Sequence, residues 1–230
     1  IGGRYVLYTS IGVWGDDCAN QIRVATADKP AGPFTDRGIV IDRTQEVANS
    51  IDQFFIQDGG KNYMFWGSFR GIYGIELSED GLSIKPGAEK VQVAGTQMEG
   101  TYIYKRGRYY YLFGSAGSCC EGNRSTYHVV YGRSENLFGP YVTKDGRRML
   151  DGASETMLSG NNLFAGPGHN AEFITDDKGQ TWMLYHAFDK KDPDNGRQVM
   201  LDPVMWADDW PYIQGGSPSY LHEAPVFNAQ

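Results

Sequence analysis

Two carboxylic acids stand among apolar rather than charged neighbours. Asp52 follows Ile51 and precedes a pair of phenylalanines, and Glu99 follows Met98 and precedes an aromatic run. Each acid comes shortly before a glycine-containing turn and a dense aromatic segment, so the two positions are equivalent along the chain. Apolar surroundings raise the pKa of a carboxyl group, as a general acid requires. The matched placement favours acid–base chemistry over the ordinary alternative of two solvated surface acids.

A histidine stands at a third position of the same kind. His169 lies in the glycine-rich segment 166–173, ahead of another aromatic segment. A histidine in such a place can bind a metal ion or orient a catalytic acid. His128 and His186 lie inside apparent strands, and we predict that both are packing residues.

The elements that must position these residues form a repeat. Four segments are similar in being aromatic and aliphatic runs closed by a small residue: 3–10, 61–68, 108–115 and 180–187. Their first residues are about 58, 47 and 72 positions apart. Weak polar alternation is typical of strands buried on both faces, and this spacing suits one blade of a β-propeller. A β-sandwich is the alternative, although it would not predict a repeat of blade length.

Composition sets limits on the class of partner. The chain has 230 residues, 40% of them hydrophobic, and a net charge of −7. No apolar run approaches the roughly 20 residues that span a bilayer, which argues against a membrane protein. The negative charge argues against a nucleic-acid partner. The three cysteines lack zinc-site spacing, and we expect the adjacent Cys119 and Cys120 not to form a bridge with each other.

Several motifs together resemble family 43 glycoside hydrolases, above all the endo-arabinanases. The similarity runs from about residue 3 to residue 219, and its matching pieces are 49–52, 99–113, 119–127, 132–134, 139–141, 166–169 and 185–186. The resemblance implies an all-β, five-bladed β-propeller. This chain would cover about four blades, as a single catalytic domain over residues 1–230 with the N-terminal blade missing.

The resemblance also implies a reaction. It would be inverting hydrolysis of α-1,5-linked arabinan, with Glu99 as general acid and Asp52 as the modulator of its pKa. His169 would lie beside a bound calcium ion, held partly through waters. The family's general base is an aspartate of the first blade, so we expect a missing segment or a second chain to supply it. Gln53, where the family usually has proline, departs from the pattern.

The resemblance further indicates a pentose oligosaccharide or polysaccharide as the substrate. We expect the substrate-binding side chains to come from seven residues: Asn49, Trp66, Phe69, Ser115, Cys119, Tyr127 and Arg197. Trp14 joins Trp66, Phe69 and Tyr127 as a candidate wall of the sugar groove. Arg197 resembles an arginine of exo-acting enzymes, so a β-xylosidase or α-L-arabinofuranosidase is one alternative. A non-catalytic pentose-binding propeller is another, and location outside the cytoplasm, secreted or periplasmic, suits such a polymer.

Overall fold

The computed structural model describes residues 1–228, and its regular structure is built from β-strands and short 3-10 turns. The strands are β1 (Tyr5–Val13), β2 (Asp16–Ala27), β3 (Thr35–Ile41), β4 (Phe54–Asp58), β5 (Lys61–Trp66), β6 (Ile72–Glu76), β7 (Val91–Ala94), β8 (Glu99–Arg106), β9 (Tyr109–Ala116), β10 (His128–Ser134), β11 (Glu155–Leu158), β12 (Phe164–Gly168), β13 (Ile174–Thr175), β14 (Thr181–Asp189), β15 (Arg197–Ala207) and β16 (Trp210–Tyr212). The 3-10 turns are Arg43–Gln45, Gly122–Arg124, Met149–Asp151, Pro193–Asn195 and Gln214–Gly216.

Within residues 1–228 the strands form four antiparallel sheets in chain order. The first sheet is β1-β2-β3, the second β4-β5-β6-β7 and the third β8-β9-β10-β11. The fourth sheet runs β12-β14-β15-β16, with β13 also paired to β14. Each sheet is therefore a meander of neighbouring strands, which is the construction of a propeller blade.

The four repeated segments fall on β1, β5, β9 and β14. In the second, third and fourth sheets, another strand precedes the repeated one at the sheet edge, namely β4, β8 or β12. In the first sheet, β1 itself is the edge strand. Several of its large apolar side chains are exposed, including Leu7, Ile11 and Val13.

Three apolar clusters lie between consecutive sheets. One packs Ile22 of the first sheet against Met64 of the second, and the next packs Phe65 of the second sheet against Leu112 of the third. The last packs Phe113 of the third sheet with side chains of the fourth. The repeated strands β5 and β9 are buried on both faces because the second and third sheets each lie between two others. The predicted all-β propeller, with about four of five blades in this chain, is confirmed, and the sandwich alternative is wrong.

In the described part of the chain, no helix has the length and apolar character needed to cross a membrane.

Candidate active site

Glu99 is held by two buried hydroxyl groups. It is the first residue of β8 and pairs with Ser115 of β9. Ser68 Oγ donates a hydrogen bond to Glu99 Oε2 at 2.6 Å, and Tyr127 Oη donates to Oε1 at 2.6 Å. Because Ser68 and Tyr127 are each only 1% exposed, the carboxyl group has a fixed position and direction.

Asp52 lies two residues before β4, in a left-handed backbone conformation with φ of 57°. Its Oδ2 accepts a hydrogen bond from the Gly100 backbone N–H at 3.1 Å, so it contacts the residue next to Glu99. Burial is the main cause that raises the pKa of Asp52. The charge of Glu99 acts in the same direction, whereas His169 and the Gly100 N–H oppose the shift.

His169 completes a cluster of three. It follows β12 directly, and its backbone N–H donates to Ser115 Oγ at 2.7 Å. Its Nε2 lies 4.0 Å from Asp52 Oδ1, and its Nδ1 lies 3.3 Å from Tyr127 Oη. One oxygen of Asp52, one of Glu99 and one ring nitrogen of His169 all lie within 4.8 Å of one another. The structure thus brings together the three residues singled out in the sequence.

The two acids face different spaces. Glu99 lines a cleft of about 470 Å³ together with Trp14, Asn49, Phe69 and Cys119. Asp52 and His169 instead line a smaller cavity of about 260 Å³ on the other side of Gly100. A long ligand therefore has room beside Glu99, whereas Asp52 does not line that cleft.

The cleft side that belongs to the first sheet is formed by the β1–β2 hairpin. Trp14 at its tip is fully exposed. Asp17 also lines the cleft, and its Oδ2 is 2.8 Å from Arg70 Nη2. The Asp17 backbone carbonyl accepts from the Asn49 N–H at 2.9 Å, which ties the hairpin to the segment that leads into Asp52.

Three of the predicted substrate-binding residues do not reach the cleft. Trp66 is fully buried, and its Nε1 donates to Ser50 Oγ, so its prediction as a groove wall is wrong. Ser115 and Tyr127 are buried as well and hold His169 and Glu99 rather than a sugar. All three lie on or beside strands that face a sheet on each side, and this removes them from solvent.

The structure also corrects the prediction for the adjacent cysteines. Cys119 and Cys120 form a disulfide bond with each other, whereas Cys18 is free and exposed. The expectation rested on the Cα separation that is usual in disulfides between distant residues. It did not allow for the eight-membered ring that two neighbouring cysteines can close.

Arg197 and His186 lie behind this disulfide. Arg197 Nη2 is 3.9 Å from Cys120 Sγ, and Arg197 Nη1 is 3.4 Å from His186 Nε2. The His186 ring stacks on Tyr127 with centroids 5.8 Å apart. Burial and the charge of Arg197 lower the pKa of His186 to about 4, so this ring is neutral at pH 7. The sequence analysis assigned His186 to packing and missed its contact with the residue that holds Glu99.

The cluster does not by itself form a calcium cage. Calcium prefers six to eight oxygen ligands. The two carboxylates of the cluster offer four oxygens at most, three of which already accept a hydrogen bond, and the third residue offers a ring nitrogen. These residues do not fit a directly coordinated calcium ion, and no step below uses one.

Comparison with known proteins shows the family of this chain. The model of the family "Glycosyl hydrolases family 43" matches residues 1–211. The extracellular exo-α-(1→5)-L-arabinofuranosidase of Cellvibrio japonicus is 32% identical over 92% of this chain and 67% of its own length. The extracellular endo-α-(1→5)-L-arabinanase 1 of Bacillus subtilis is 32% identical over 91% of this chain and 65% of its own length.

A solved structure is similar over the same region. The α-L-arabinanase of Cellvibrio cellulosa in complex with arabinohexaose superposes with a TM-score of 0.84 at 31% identity, covering 93% of this chain and 74% of that one. The chain spans about two thirds of the length of the two curated relatives. Residues 1–211, which the family model matches, include both acids and His169. The chain belongs to glycosyl hydrolases family 43.

Proposed function

We propose that this chain is part of a hydrolase of α-1,5-linked arabinan in which Glu99 is the general acid. The observation that carries the proposal is the fixed Glu99 carboxyl group at the side of an open cleft, with Trp14 and Phe69 on the same cleft. Aromatic rings can cover the apolar face of a pentose. The names of the relatives, an exo-acting arabinofuranosidase and two arabinanases, support the substrate class.

In the proposed mechanism Glu99 donates its proton to the glycosidic oxygen as the bond to the anomeric carbon breaks. A water molecule attacks that carbon from the opposite face, and a general base takes its proton. Asp52 acts on Glu99 as a pKa modulator, because the charge on one of two neighbouring carboxyl groups disfavours ionisation of the other. The Gly100 N–H bond fixes the position of Asp52 for this role.

Asp52 itself is unsuited to be the base of an inverting enzyme. Inversion needs roughly 6.5–9.5 Å between the two catalytic carboxyl groups, so that water fits between them. Asp52 and Glu99 have oxygens within 4.8 Å of each other. We therefore propose that residues outside this chain supply the base, on a longer polypeptide or a second chain. "The active assembly" below means this chain together with those residues.

The base can be located by assaying the 230-residue chain alone. We expect it to bind arabinohexaose but to release no reducing sugar from linear arabinan. The matched variant is Asp17→Asn, because within residues 1–228 Asp17 is the other acid that lines the cleft. Release by the chain alone that is lost in this variant would place the base on Asp17 and contradict the proposal.

We propose endo action, since the cleft beside Glu99 is open. The relatives do not decide this, because one is named exo-acting and another endo-acting at the same 32% identity. The active assembly should release short oligosaccharides from linear arabinan early, faster than it cleaves aryl pentosides. Rapid cleavage of aryl pentosides alone would overturn endo action and favour the exo reading, in which Arg197 holds substrate hydroxyls. Proton NMR of the first product should show the anomer opposite to that of the substrate bond.

The second candidate is a pentose-binding propeller without catalysis. One observation favours this candidate: Asp52 and Glu99, the two acids of the cluster, are too close together for one to be the base of an inverting enzyme. It predicts affinity for arabinohexaose and no turnover by the active assembly, with or without Glu99→Gln.

We also propose a location outside the cytoplasm, since two relatives are named extracellular. A calcium ion near His169 stays a prediction, and activity that persists in excess EDTA would contradict it.

A further inference from the structure

The Cys119–Cys120 disulfide lies on a loop between the cleft and the cluster of Asp52, Glu99 and His169. This disulfide loop, residues 117–126, leads directly into Tyr127, which donates to Glu99. Its base is closed without the help of the cysteines. Ser118 N–H donates to Thr126 Oγ1 at 3.0 Å, and Ser125 Oγ donates to the Ser118 carbonyl at 2.6 Å.

The cysteine end of the loop reaches the cleft beside Glu99. Cys119 lines the same cleft as Trp14, Phe69 and Glu99. A ring closed by two sulfur atoms presents a rigid, polarizable and apolar surface, which suits the apolar face of a sugar. Arg197 contacts the disulfide through Cys120, with Nη2 3.9 Å from Sγ.

Fold stability does not explain this bond well. A disulfide stabilises a protein mainly by restricting the unfolded chain, and the effect grows with the number of residues in the closed loop. Cys119 and Cys120 enclose none. The bond therefore restrains the local shape of the cleft rather than the fold.

We propose that the Cys119–Cys120 disulfide is a wall of the oligosaccharide cleft, and that its reduction weakens oligosaccharide binding. The proposal rests on the proposed function. In the reductive step a dithiol reductant is oxidised to its own disulfide, the Sγ–Sγ bond of Cys119 and Cys120 breaks, and each sulfur gains one hydrogen. The two free thiol side chains then rotate independently, and the rigid surface that Cys119 contributes to the cleft is lost.

The test measures the Kd of arabinohexaose by calorimetry in the Glu99→Gln background, which prevents turnover. It compares the oxidised chain, the chain reduced by dithiothreitol and a Cys119→Ser, Cys120→Ser double variant, with intact mass as the check of redox state. Cys18→Ser is the matched control, because Cys18 is exposed and takes no part in the disulfide. We expect reduction or the double variant to raise Kd about tenfold, reoxidation to restore it, and Cys18→Ser to change nothing.

The outcomes separate the two proposals. Equal Kd values in the oxidised and reduced states would overturn the role of the disulfide and leave the proposed function standing. A dithiothreitol effect that persists in the double variant would also overturn it, since the effect would arise elsewhere. Failure of the oxidised chain to bind arabinohexaose would overturn the proposed function and the disulfide wall together.

Discussion

The second and third sheets each contribute one acid from the start of their edge strand, yet the two acids have different surroundings. Glu99 is part of β8, paired across to β9, and opens on the large cleft. Asp52 precedes β4 in a left-handed conformation and opens on the smaller cavity. A shift of two residues relative to the strand start accompanies the placement of one acid at the large cleft and of the other at the smaller cavity. Similar positions in successive sheets can thus give an acid different surroundings.

The largest expected effect comes from removing the proton donor. Glu99→Gln in the active assembly should lower kcat on linear arabinan by about 10²–10⁴-fold, because the leaving oxygen is no longer protonated. Reducing-sugar release measures this. Glu135→Gln, an exposed acid on the surface, should keep full activity. Comparable losses in the two variants would show that the effect is not specific to the cleft.

Removing the charge of Asp52 should lower kcat less than removing Glu99. Asp52→Asn keeps the shape but loses the charge, and we expect kcat to fall about 10–100-fold. The alkaline limb of the kcat–pH profile should move to lower pH, because a neighbouring negative charge no longer disfavours ionisation of the acid. A fall in kcat with an unmoved profile would contradict the role of modulator and leave only positioning.

The two hydroxyl groups that hold Glu99 offer a finer test. Tyr127→Phe and Ser68→Ala each remove one hydrogen bond to its carboxyl group. Each should lower kcat about tenfold with little change in KM, since a buried donor is lost but the cleft is not reshaped. A KM effect alone would instead place these residues in substrate contact.

The His186 ring stacks on Tyr127 and not on the cleft. We therefore expect His186 to change how the free energy of unfolding depends on pH, and not to change substrate binding. Its pKa is about 4 in the fold, below the usual 6.5, so the unfolded chain binds the extra proton first. The free energy of unfolding should therefore fall as pH drops from 6.5 towards 4, by on the order of 1–2 kcal/mol. His186→Gln should flatten this fall, measured by urea unfolding at several pH values. His128→Gln, on β10, is the control and should leave it in place.

The smallest effect is expected at the cleft rim. Trp14 is fully exposed at the hairpin tip, so Trp14→Ala should leave the thermal midpoint unchanged. Loss of its ring should raise KM for long arabino-oligosaccharides about threefold, with no effect on kcat. An unchanged KM across oligosaccharide lengths would remove Trp14 from the binding surface.

Much of this arrangement could be predicted from local sequence. The aromatic runs on β5, β9 and β14 recur because these strands are largely buried, and burial of this kind is visible in composition. Asp52, Glu99 and His169 could be found since each precedes such a run in the same way. Their roles came from family resemblance and stay predictions.

The features that could not be predicted from the sequence depend mainly on contacts between sheets. The sequence around Trp66 predicts an aromatic side chain that lines the groove. Whether its ring faces the cleft or the next sheet depends on packing between sheets, which local sequence does not show. His186 meets Tyr127 only because the third and fourth sheets pack together. The bond between Cys119 and Cys120 was missed because the rule applied to it describes disulfides between distant residues.

The central claim, that Glu99 protonates the leaving group, is tested most directly by varying that group. The loss caused by Glu99→Ala in the active assembly would be compared for arabinohexaose and for an arabinobioside carrying a dinitrophenyl leaving group. An activated phenolate leaves without a proton, so we expect a loss of at least about 10²-fold for arabinohexaose and a small one for the dinitrophenyl substrate. Equal losses on both substrates would contradict the assignment of Glu99 as the general acid.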